Sequence, residues 1–342
     1  MTVSDIASLT DISVVATDER ERHRTAELRL IYPAGMTLSR RARFFRKRIS
    51  KFELSDDVPI EERRAVLDKL DTIPRPRKVD YVDTVVGGIP AIVATPTEVP
   101  PARHILYIHG GAYVVGSPRS HIAMCARLAK RAAATTTVID YRLAPEHVYP
   151  AAIDDCVAAY RAIIAAVDPA SVTIAGDSAG GGATLATLGA LKAAGDPMPG
   201  AVYVLSPWTD LTASGESVVT RAPFDPMFDG HGLPEAAATY AGDTPLDDPG
   251  VSPLFADPTG YPPTLIQTGM DEILLSDSTR LAERYEAAGV DVRLDLRDGL
   301  WHVYPMLAGY VPEATEALVR AAVVIREKTP APLPVPAKPS VS

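Results

Sequence analysis

A serine with a glycine two positions to either side is the first group in this sequence that could do covalent chemistry. The run Gly176-Asp177-Ser178-Ala179-Gly180 follows the apolar segment from Val172 to Ala175 and precedes small residues typical of a helix. On such a strand-to-helix turn the serine lies on a sharp bend, and the glycines let strand and helix pass closely. A glycine-rich turn with a capping serine shares this pattern. The assignment of Ser178 as a nucleophile therefore also requires a base and an oxyanion site in the sequence.

A serine hydroxyl becomes a good nucleophile at neutral pH beside a general base that a carboxylate orients. Where parallel strands end, these groups follow each other along the chain as serine, acid and histidine. Asp271 and His302 come after the last two predicted strands, in that order. Glu272 and Asp277 compete for the acid role, but we expect Glu272 to point away from Asp271 and Asp277 to lie in the next helix. The sequence therefore predicts Ser178 as nucleophile, His302 as base and Asp271 as orienting acid.

A second glycine-containing turn, His109-Gly110-Gly111-Ala112, follows the apolar segment that begins at His104. Glycine backbones can turn their N–H groups toward a developing oxyanion, and Ala179 offers another N–H at the start of its helix. Losing one such donor typically costs about 3 kcal/mol in the barrier. A plain Gly-Gly turn is the alternative.

The remaining histidines have less specific surroundings. We expect His109 to support the oxyanion loop, and we expect the others to be structural or solvated because they lack a neighbouring acid at a strand end: His23, His104, His121, His147 and His231. No HExxH or CxxC pattern occurs, so we predict no metal. No GxGxxG or GxxxxGK[ST] loop is present, so we predict no dinucleotide or nucleotide cofactor.

Composition and charge narrow the class of protein. The chain has 342 residues, a formal net charge of −9 and 46% hydrophobic residues. This charge argues against general attraction to nucleic acid or anionic membranes, and no apolar run is long enough to span a bilayer. The start lacks a secretory signal pattern, and Cys125 and Cys156 are expected to be unpaired thiols. We therefore expect a cytoplasmic protein.

The elements that must position these groups follow an alternating pattern. Between residues 79 and 328, β-branched runs alternate with alanine-rich helical stretches, which predicts the α/β class with a mostly parallel sheet covered on both faces. The first two runs are joined by Gly87-Gly88, a signal for an antiparallel hairpin. Eight strands are predicted: Val79–Val86, Ile89–Thr95, His104–His109, Thr136–Tyr141, Ser171–Ala175, Ala201–Leu205, Thr264–Thr268 and Val292–Leu296.

Three stretches fall outside that alternation. Residues 1–75 are predicted to be helical without a strand and, together with an insertion at about 208–250, to form a cap over the core of residues 76–328. The basic stretch from Arg40 to Lys51 could lie on a membrane surface; we favour a solvated cap helix with its aromatic residues turned toward the active site. Residues 329–342 contain five prolines, which predicts an extended or disordered tail.

Together these motifs resemble the bacterial branch of the hormone-sensitive-lipase family of esterases, over roughly residues 79–328. The motifs are HGG at 109–111, DYRLAPEH at 140–147, PAA at 150–152 with Asp154-Asp155, GDSAGG at 176–181, Asp271 and His302. The resemblance implies an α/β-hydrolase fold, a triad of Ser178, Asp271 and His302, and an oxyanion hole formed by the N–H groups of Gly110, Gly111 and Ala179. It also implies that segment 140–155 is structural.

One position departs from the family pattern. Ala112 stands where the family often carries a third glycine of the oxyanion loop. Alanine keeps its N–H, so we expect activity to be retained, and the substitution bears on the tolerance for bulky alcohol groups.

We therefore predict hydrolysis of short- to medium-chain carboxylic esters through an acyl-enzyme. Lactone hydrolysis uses the same triad and is not separated by the sequence. A non-catalytic receptor role, as in the plant gibberellin receptors that resemble this family, is disfavoured by the retained His302. We expect a small-molecule ester as substrate, no nucleic acid partner, no stable membrane insertion and a homodimer. The strand Val292–Leu296 is expected at the sheet edge, where its alternating charges could either protect the edge or pair across a two-fold axis, and we favour pairing.

Overall fold

The computed structural model describes residues 29–30, 37–49, 58–98 and 101–329, and for Arg29 and Leu30 it describes the backbone. The predicted tail of residues 329–342, apart from Thr329, and most of the first 36 residues lie outside this part of the chain.

A nine-stranded sheet forms the centre of the described structure, in the order β1-β9-β8-β7-β6-β4-β5-β3-β2. β2 and β3 form the predicted antiparallel hairpin, whose turn residues Gly87 and Gly88 both have positive φ angles. β3 is also antiparallel to β5, and the remaining pairs are parallel. The strands are β1 (Arg29–Leu30), β2 (Val79–Val86), β3 (Ile89–Pro96), β4 (Arg103–Ile108), β5 (Ala134–Ile139), β6 (Val172–Asp177), β7 (Ala201–Leu205), β8 (Thr264–Gly269) and β9 (Val292–Arg297).

Helices cover both faces of this sheet, so the central strands are buried on both sides and consist of continuous apolar runs, as parallel strands usually do. All six residues of β6 are buried. The predicted α/β class with its mostly parallel sheet is confirmed. The α-helices are α1 (Arg40–Arg48), α2 (Ile60–Asp68), α3 (Pro118–Ala132), α4 (Ala151–Ile164), α5 (Ala179–Ala194), α6 (Ser217–Thr220), α7 (Leu233–Ala241), α8 (Leu275–Ala287) and α9 (Pro312–Lys328).

The register of the central strands brings their carboxyl ends to one edge of the sheet. Ile108 of β4 lies opposite Gly176 of β6, and Asp177 lies opposite Leu205 of β7. Farther along, Gly269 of β8 lies opposite Arg297 of β9. The loops that carry the HGG motif, Ser178, Asp271 and His302 therefore leave the sheet at the same edge.

One strand contradicts two expectations. Arg29 and Leu30 pair in parallel with Arg293 and Leu294 of β9. The N-terminal segment is therefore not free of strands. β9 pairs with β1 on one side and with β8 on the other, so it is not the edge strand at which dimer pairing was predicted. A two-residue strand has too short a pattern to be seen in the sequence, since its pairing depends on a partner more than 260 residues away.

The N-terminal helices lie against the core. Ser39 caps α1 and binds the carboxylate of Glu313 at the start of α9, through its backbone N at 2.6 Å and its hydroxyl at 2.9 Å. Phe45 contacts the ring of Tyr310, with 6.2 Å between centroids, whereas Phe44 is half exposed. The expectation that the aromatic residues of this helix turn toward the active site stays a prediction.

Two further expectations concern single features. Cys125 and Cys156 are both buried and unpaired, as predicted. Within the described ranges, none of the helices is both long enough and apolar enough to cross a membrane.

Candidate active site

Ser178 lies at the junction between β6 and α5 in a strained conformation, with φ 52° and ψ −125°. Its N–H donates to the carbonyl of Leu205 at 2.9 Å, and its carbonyl accepts from the N–H of Trp208 at 2.9 Å. A non-glycine residue at positive φ is costly and is retained where neighbouring contacts fix it. Bonds to the strand next to β6 hold this turn, so the serine stays on the sharp bend that the motif predicted.

The two flanking glycines are required by close backbone approaches. A side chain on Gly176 would overlap the carbonyl groups of Gly180 and Ile108, and one on Gly180 would overlap those of Ile108 and His109. The spacing of the motif thus follows from the contact between the start of α5 and the end of β4.

His302 is buried, and its Nδ1 lies 3.2 Å from Oε1 of Glu272. A carboxylate can only accept at this distance, so Nδ1 carries the proton and Nε2 is the basic nitrogen. This contact corrects the prediction that Asp271 orients the histidine. Glu272 is the acid that the structure brings to His302.

The direction of Glu272 is set by its second oxygen. Oε2 accepts from the hydroxyl of Ser206 at 2.7 Å and from the N–H of Gly269 at 3.1 Å. The same Ser206 hydroxyl accepts from the N–H of Val303 at 3.0 Å. Ser206 therefore links the acid to the loop of His302, while Leu205 before it holds Ser178.

Asp271 faces away from that network. Its N–H donates to the carbonyl of Leu300, while its carboxylate forms an ion pair with Arg46 at 2.9 Å. Burial raises its pKa, against the opposing charge of Arg46. Asp277 lies in the first turn of α8, as expected, and accepts from the N–H groups of Thr209 and Asp210. Neither carboxylate is thus engaged with the imidazole.

Several charges act on His302. Burial alone would lower the pKa of His302, but the hydrogen bond and charge of Glu272 outweigh it, and the pKa is raised above its ordinary value. The carboxylates of Asp225 and Asp177 act in the same direction. An imidazolium formed during a reaction would therefore be stabilised.

The oxyanion loop after β4 is held by a buried network that changes the role of Gly110. The N–H of Gly110 donates to Oδ1 of Asp177 at 3.2 Å, so it is directed away from the predicted oxyanion role. Asp177 also accepts from the hydroxyl of Tyr107 at 2.7 Å and lies 3.3 Å from Nε2 of His121. Burial would raise the pKa of Asp177, but His121 and these hydrogen bonds lower it.

His109 and His121 both serve this loop. His109 stacks on Tyr141, and its Nδ1 lies 2.9 Å from the carbonyl oxygen of Gly110, in line with its expected supporting role. Burial lowers its pKa to about 3. The expectation that His121 lacks a neighbouring acid at a strand end is wrong, because Asp177 ends β6.

Three backbone N–H groups remain as candidate oxyanion donors. Within the described residues, those of Gly111, Ala112 and Ala179 have no hydrogen-bond acceptor. Gly111 has φ 127° and Ala112 φ 53°, and the carbonyl of Gly111 accepts from Val114 and Val115 to close the turn. The donors predicted at Gly111 and Ala179 therefore stay available, and Ala112 replaces Gly110 as the third candidate.

Comparisons with known proteins identify the fold and the class of enzyme. The family described as "alpha/beta hydrolase fold" matches residues 105–306. The chain is also similar to the solved structure of an esterase from the bacterial hormone-sensitive lipase family, with 36% identity and a TM-score of 0.82, over 86% of this chain and 100% of that one. This chain belongs to the bacterial hormone-sensitive-lipase family of α/β-hydrolases. The predicted fold and the predicted class of ester-hydrolysing enzyme are confirmed at this level.

Two curated relatives of this α/β-hydrolase are similar over most of their length. An acetyl-hydrolase of Streptomyces hygroscopicus is 39% identical over 66% of this chain and 76% of its own length. An esterase of Acinetobacter venetianus is 40% identical over 63% of this chain and 71% of its own length.

Sequence reasoning missed three residues around the histidine of this α/β-hydrolase. Ser206 follows β7 without a recognisable pattern. Asp225 accepts from the N–H of Ile273 at 2.9 Å and from that of Phe228 at 3.1 Å, and the ring of Phe228 lies edge-on to His302 with 5.1 Å between centroids. The only available signal was the acidic, proline-rich character of the insertion. Among the described residues no group of three possible metal ligands occurs.

Proposed function

We propose that this protein hydrolyses short- to medium-chain carboxylic esters through an acyl-enzyme on Ser178, with His302 as general base and Glu272 as the acid that orients it. The observation that carries the proposal is the buried contact between Glu272 and His302 at 3.2 Å. Glu272 follows β8, which β7 separates from β6, the strand that ends before Ser178 on its strained elbow.

In the acylation step, Nε2 of His302 takes the proton from Oγ of Ser178 as the oxygen attacks the ester carbonyl. The N–H groups of Gly111, Ala112 and Ala179 donate to the oxygen that becomes negative, and no donor has to reorganise during the step. The imidazolium then gives its proton to the departing alkoxide, so an alcohol leaves and the acyl group stays on Ser178.

Deacylation repeats the same exchange with water. His302 takes a proton from the water that attacks the acyl carbonyl, the ester bond to Ser178 breaks, and the proton passes to Oγ of the serine. Glu272 holds the imidazole in the tautomer that both steps require and stabilises the cation formed in each.

The proposed substrate class rests on the relatives and on the surroundings of the histidine. The relative from Streptomyces hygroscopicus is an acetyl-hydrolase, which favours small acyl groups. The insertion lays the ring of Phe228 against His302, which limits the space beside the reacting atoms.

We further propose a cap formed by residues 1–75 with the insertion at about 208–250, a cytoplasmic location and a homodimer. Light scattering that gives a monomer mass at micromolar concentration would contradict the dimer.

A comparison of wild type with Ser178→Ala on a panel of substrates tests the proposal. The panel contains nitrophenyl esters from acetate to palmitate, a set of lactones and emulsified long-chain triglyceride. We expect the highest kcat/KM on the short esters and loss of all turnover in Ser178→Ala with the fold intact by circular dichroism. Equal turnover by the two proteins would contradict the nucleophile, and a preference for lactones or emulsified triglyceride would contradict the substrate class.

A further inference from the structure

Two arginines on the N-terminal helices reach the loops that carry the proposed catalytic groups. Arg46 lies on α1 and Arg64 on α2, and each side chain is about one quarter exposed. Both donate to backbone carbonyl oxygens of loops that belong to the hydrolase core. Neither arginine belongs to the proposed triad or oxyanion site.

Arg46 joins three segments around the acid and the base. Its Nη1 donates to the carbonyl of Gly299 at 2.9 Å, three residues before His302. Its Nη2 lies 2.9 Å from Oδ2 of Asp271, the residue before Glu272, and donates to the carbonyl of Phe224 at 2.7 Å. One guanidinium thus holds the acid loop, the base loop and the insertion together.

Arg64 makes the matching contact with the oxyanion loop. Its Nε donates to the carbonyl of Val114 at 2.9 Å, and the N–H of Val114 donates to the carbonyl of Gly111. Its Nη2 donates to the carbonyl of Ala144 at 3.1 Å, and both Nη atoms bind Glu146 at 2.8 Å. The guanidinium therefore fixes the turn that presents the N–H of Gly111.

The chemistry of these contacts requires arginine. Its planar group offers five N–H donors in a fixed arrangement and can bind several acceptors at once, which a lysine ammonium on a flexible chain does less well. Hydrogen bonds from a charged donor are stronger than neutral ones. Misplacing catalytic groups by about 1 Å can cost about 100-fold in rate, so bonds that fix these loops bear directly on turnover.

We propose that Arg46 and Arg64 are positioning residues, through which docking of the N-terminal helices assembles the two halves of the catalytic site. Arg46 sets the distance between Glu272 and His302 by holding their loops, and Arg64 sets the direction of the oxyanion donor at Gly111. The inference rests on the proposed function, because the loops matter only if those groups react.

The test compares Arg46→Ala and Arg64→Ala with two matched controls. Arg41→Ala removes an arginine from the same helix as Arg46; among the described residues, its side chain donates to the carbonyl of Tyr310 at 3.4 Å. Arg161→Ala removes an ion pair with Asp196, away from the catalytic loops. Turnover of nitrophenyl butyrate is expressed per site labelled with a fluorophosphonate, so unfolded protein does not enter kcat.

We expect kcat to fall by roughly 10- to 100-fold in Arg46→Ala and Arg64→Ala, with smaller changes in KM and with near wild-type values in both controls. Millimolar methylguanidinium should restore part of the lost kcat in these two variants. In Arg46→Ala the inflection of the pH–rate profile should also move to lower pH, because a weakened contact with Glu272 raises the pKa of His302 less. In Arg64→Ala that inflection should stay in place.

Wild-type kcat in both variants, or an equal loss in the controls, would overturn the inference. If an alanine variant does not fold, Arg46→Lys and Arg64→Lys decide the matter, since an ammonium cannot bind all the acceptors and kcat must still fall. Failure of the proposed function would be visible in the wild type itself, whose ester turnover would be absent or independent of Ser178.

Discussion

Replacement of each of two neighbouring carboxylates, Asp271 and Glu272, by its amide tests which of them orients His302. Glu272→Gln keeps the size of the side chain but offers an amide to Nδ1 of His302 in place of a carboxylate. The wrong imidazole tautomer is then favoured, and the cation formed during the reaction loses its counter-charge. Asp271→Asn leaves an acceptor for Arg46 and does not touch the contact with His302.

The structure allows an estimate of both effects. Two unit charges at the 3.2 Å between Nδ1 and Oε1 interact by about 5 kcal/mol at an effective dielectric constant of about 20. At about 1.4 kcal/mol per factor of ten, the rate should fall by between about 10³ and about 10⁴, which agrees with the loss of about 10⁴ seen when a serine protease loses the same charge. The partly exposed pair of Asp271 and Arg46 is worth about 1 kcal/mol, so Asp271→Asn should lose less than about tenfold.

Initial rates on nitrophenyl butyrate at saturating substrate, with circular dichroism to verify folding, measure both variants under the same conditions. In the double variant, the rate should fall below that of Glu272→Gln by at most the factor lost in Asp271→Asn alone. A larger loss in Asp271→Asn than in Glu272→Gln, or a Glu272→Gln enzyme within tenfold of wild type, would refute the assignment of the acid.

Three further outcomes are expected. The rate should rise with an inflection above pH 6.5 as His302 loses its proton, since its pKa is raised. In Glu272→Gln the effect of burial on the pKa of His302 should dominate, and the inflection should move to lower pH. pH–rate profiles of both proteins with chemistry rate-limiting check this, and a flat wild-type profile between about pH 5 and 9 would contradict a histidine base. Burial raises the pKa of Asp277 to about 7, above its ordinary value in the unfolded chain, so the stability this group contributes is present at low pH and is lost as the pH rises to 7. Relative to Asp277→Asn, the free energy of unfolding of wild type should fall by about 1.4 kcal/mol per pH unit across that interval. Urea denaturation of both proteins at several pH values measures this difference, and a difference that does not change with pH would contradict the prediction. Ala112→Gly keeps the N–H and removes a positive-φ alanine, so kcat on butyrate should stay within a few-fold while turnover of tertiary-alcohol esters increases; a large loss on butyrate would show that the alanine itself fixes the donor.

The sequence predicted eight of the nine strands because each of the eight has its own apolar run, and the structure shifts their ends by at most two residues. β1 escaped because only two residues pair, and they do so with β9 far along the chain. The same pairing means that β9, which was expected at the edge of the sheet, has a neighbour on both sides. Local pattern therefore predicted the layers, whereas the edge depended on a long-range contact.

At the site, the elbow of Ser178 was predictable because the motif encodes its own geometry through Gly176 and Gly180. The acid was not, since Asp271 and Glu272 follow the same strand and either could turn inward. The choice is made by the hydroxyl of Ser206 and the N–H of Gly269, which bind Glu272. No spacing rule within one strand contains that information.

Gly110 illustrates the same limit for a backbone group. Its position in the HGG motif predicted a donor, but the direction of its N–H depends on the carboxylate of Asp177, which arrives from β6. The N–H of Ala112, two residues later, has no acceptor among the described residues and takes the place of the one predicted at Gly110.

Trapping the covalent intermediate tests the central claim most directly. Wild type and Ser178→Ala are quenched with acid after mixing with a slowly deacylating nitrophenyl ester, and intact mass followed by peptide mapping locates the added acyl group. We predict one acyl group per chain, attached to Ser178, formed at the rate of the nitrophenol burst and absent from Ser178→Ala. An acyl group on any other residue, or a nitrophenol burst that persists in Ser178→Ala, would contradict the account.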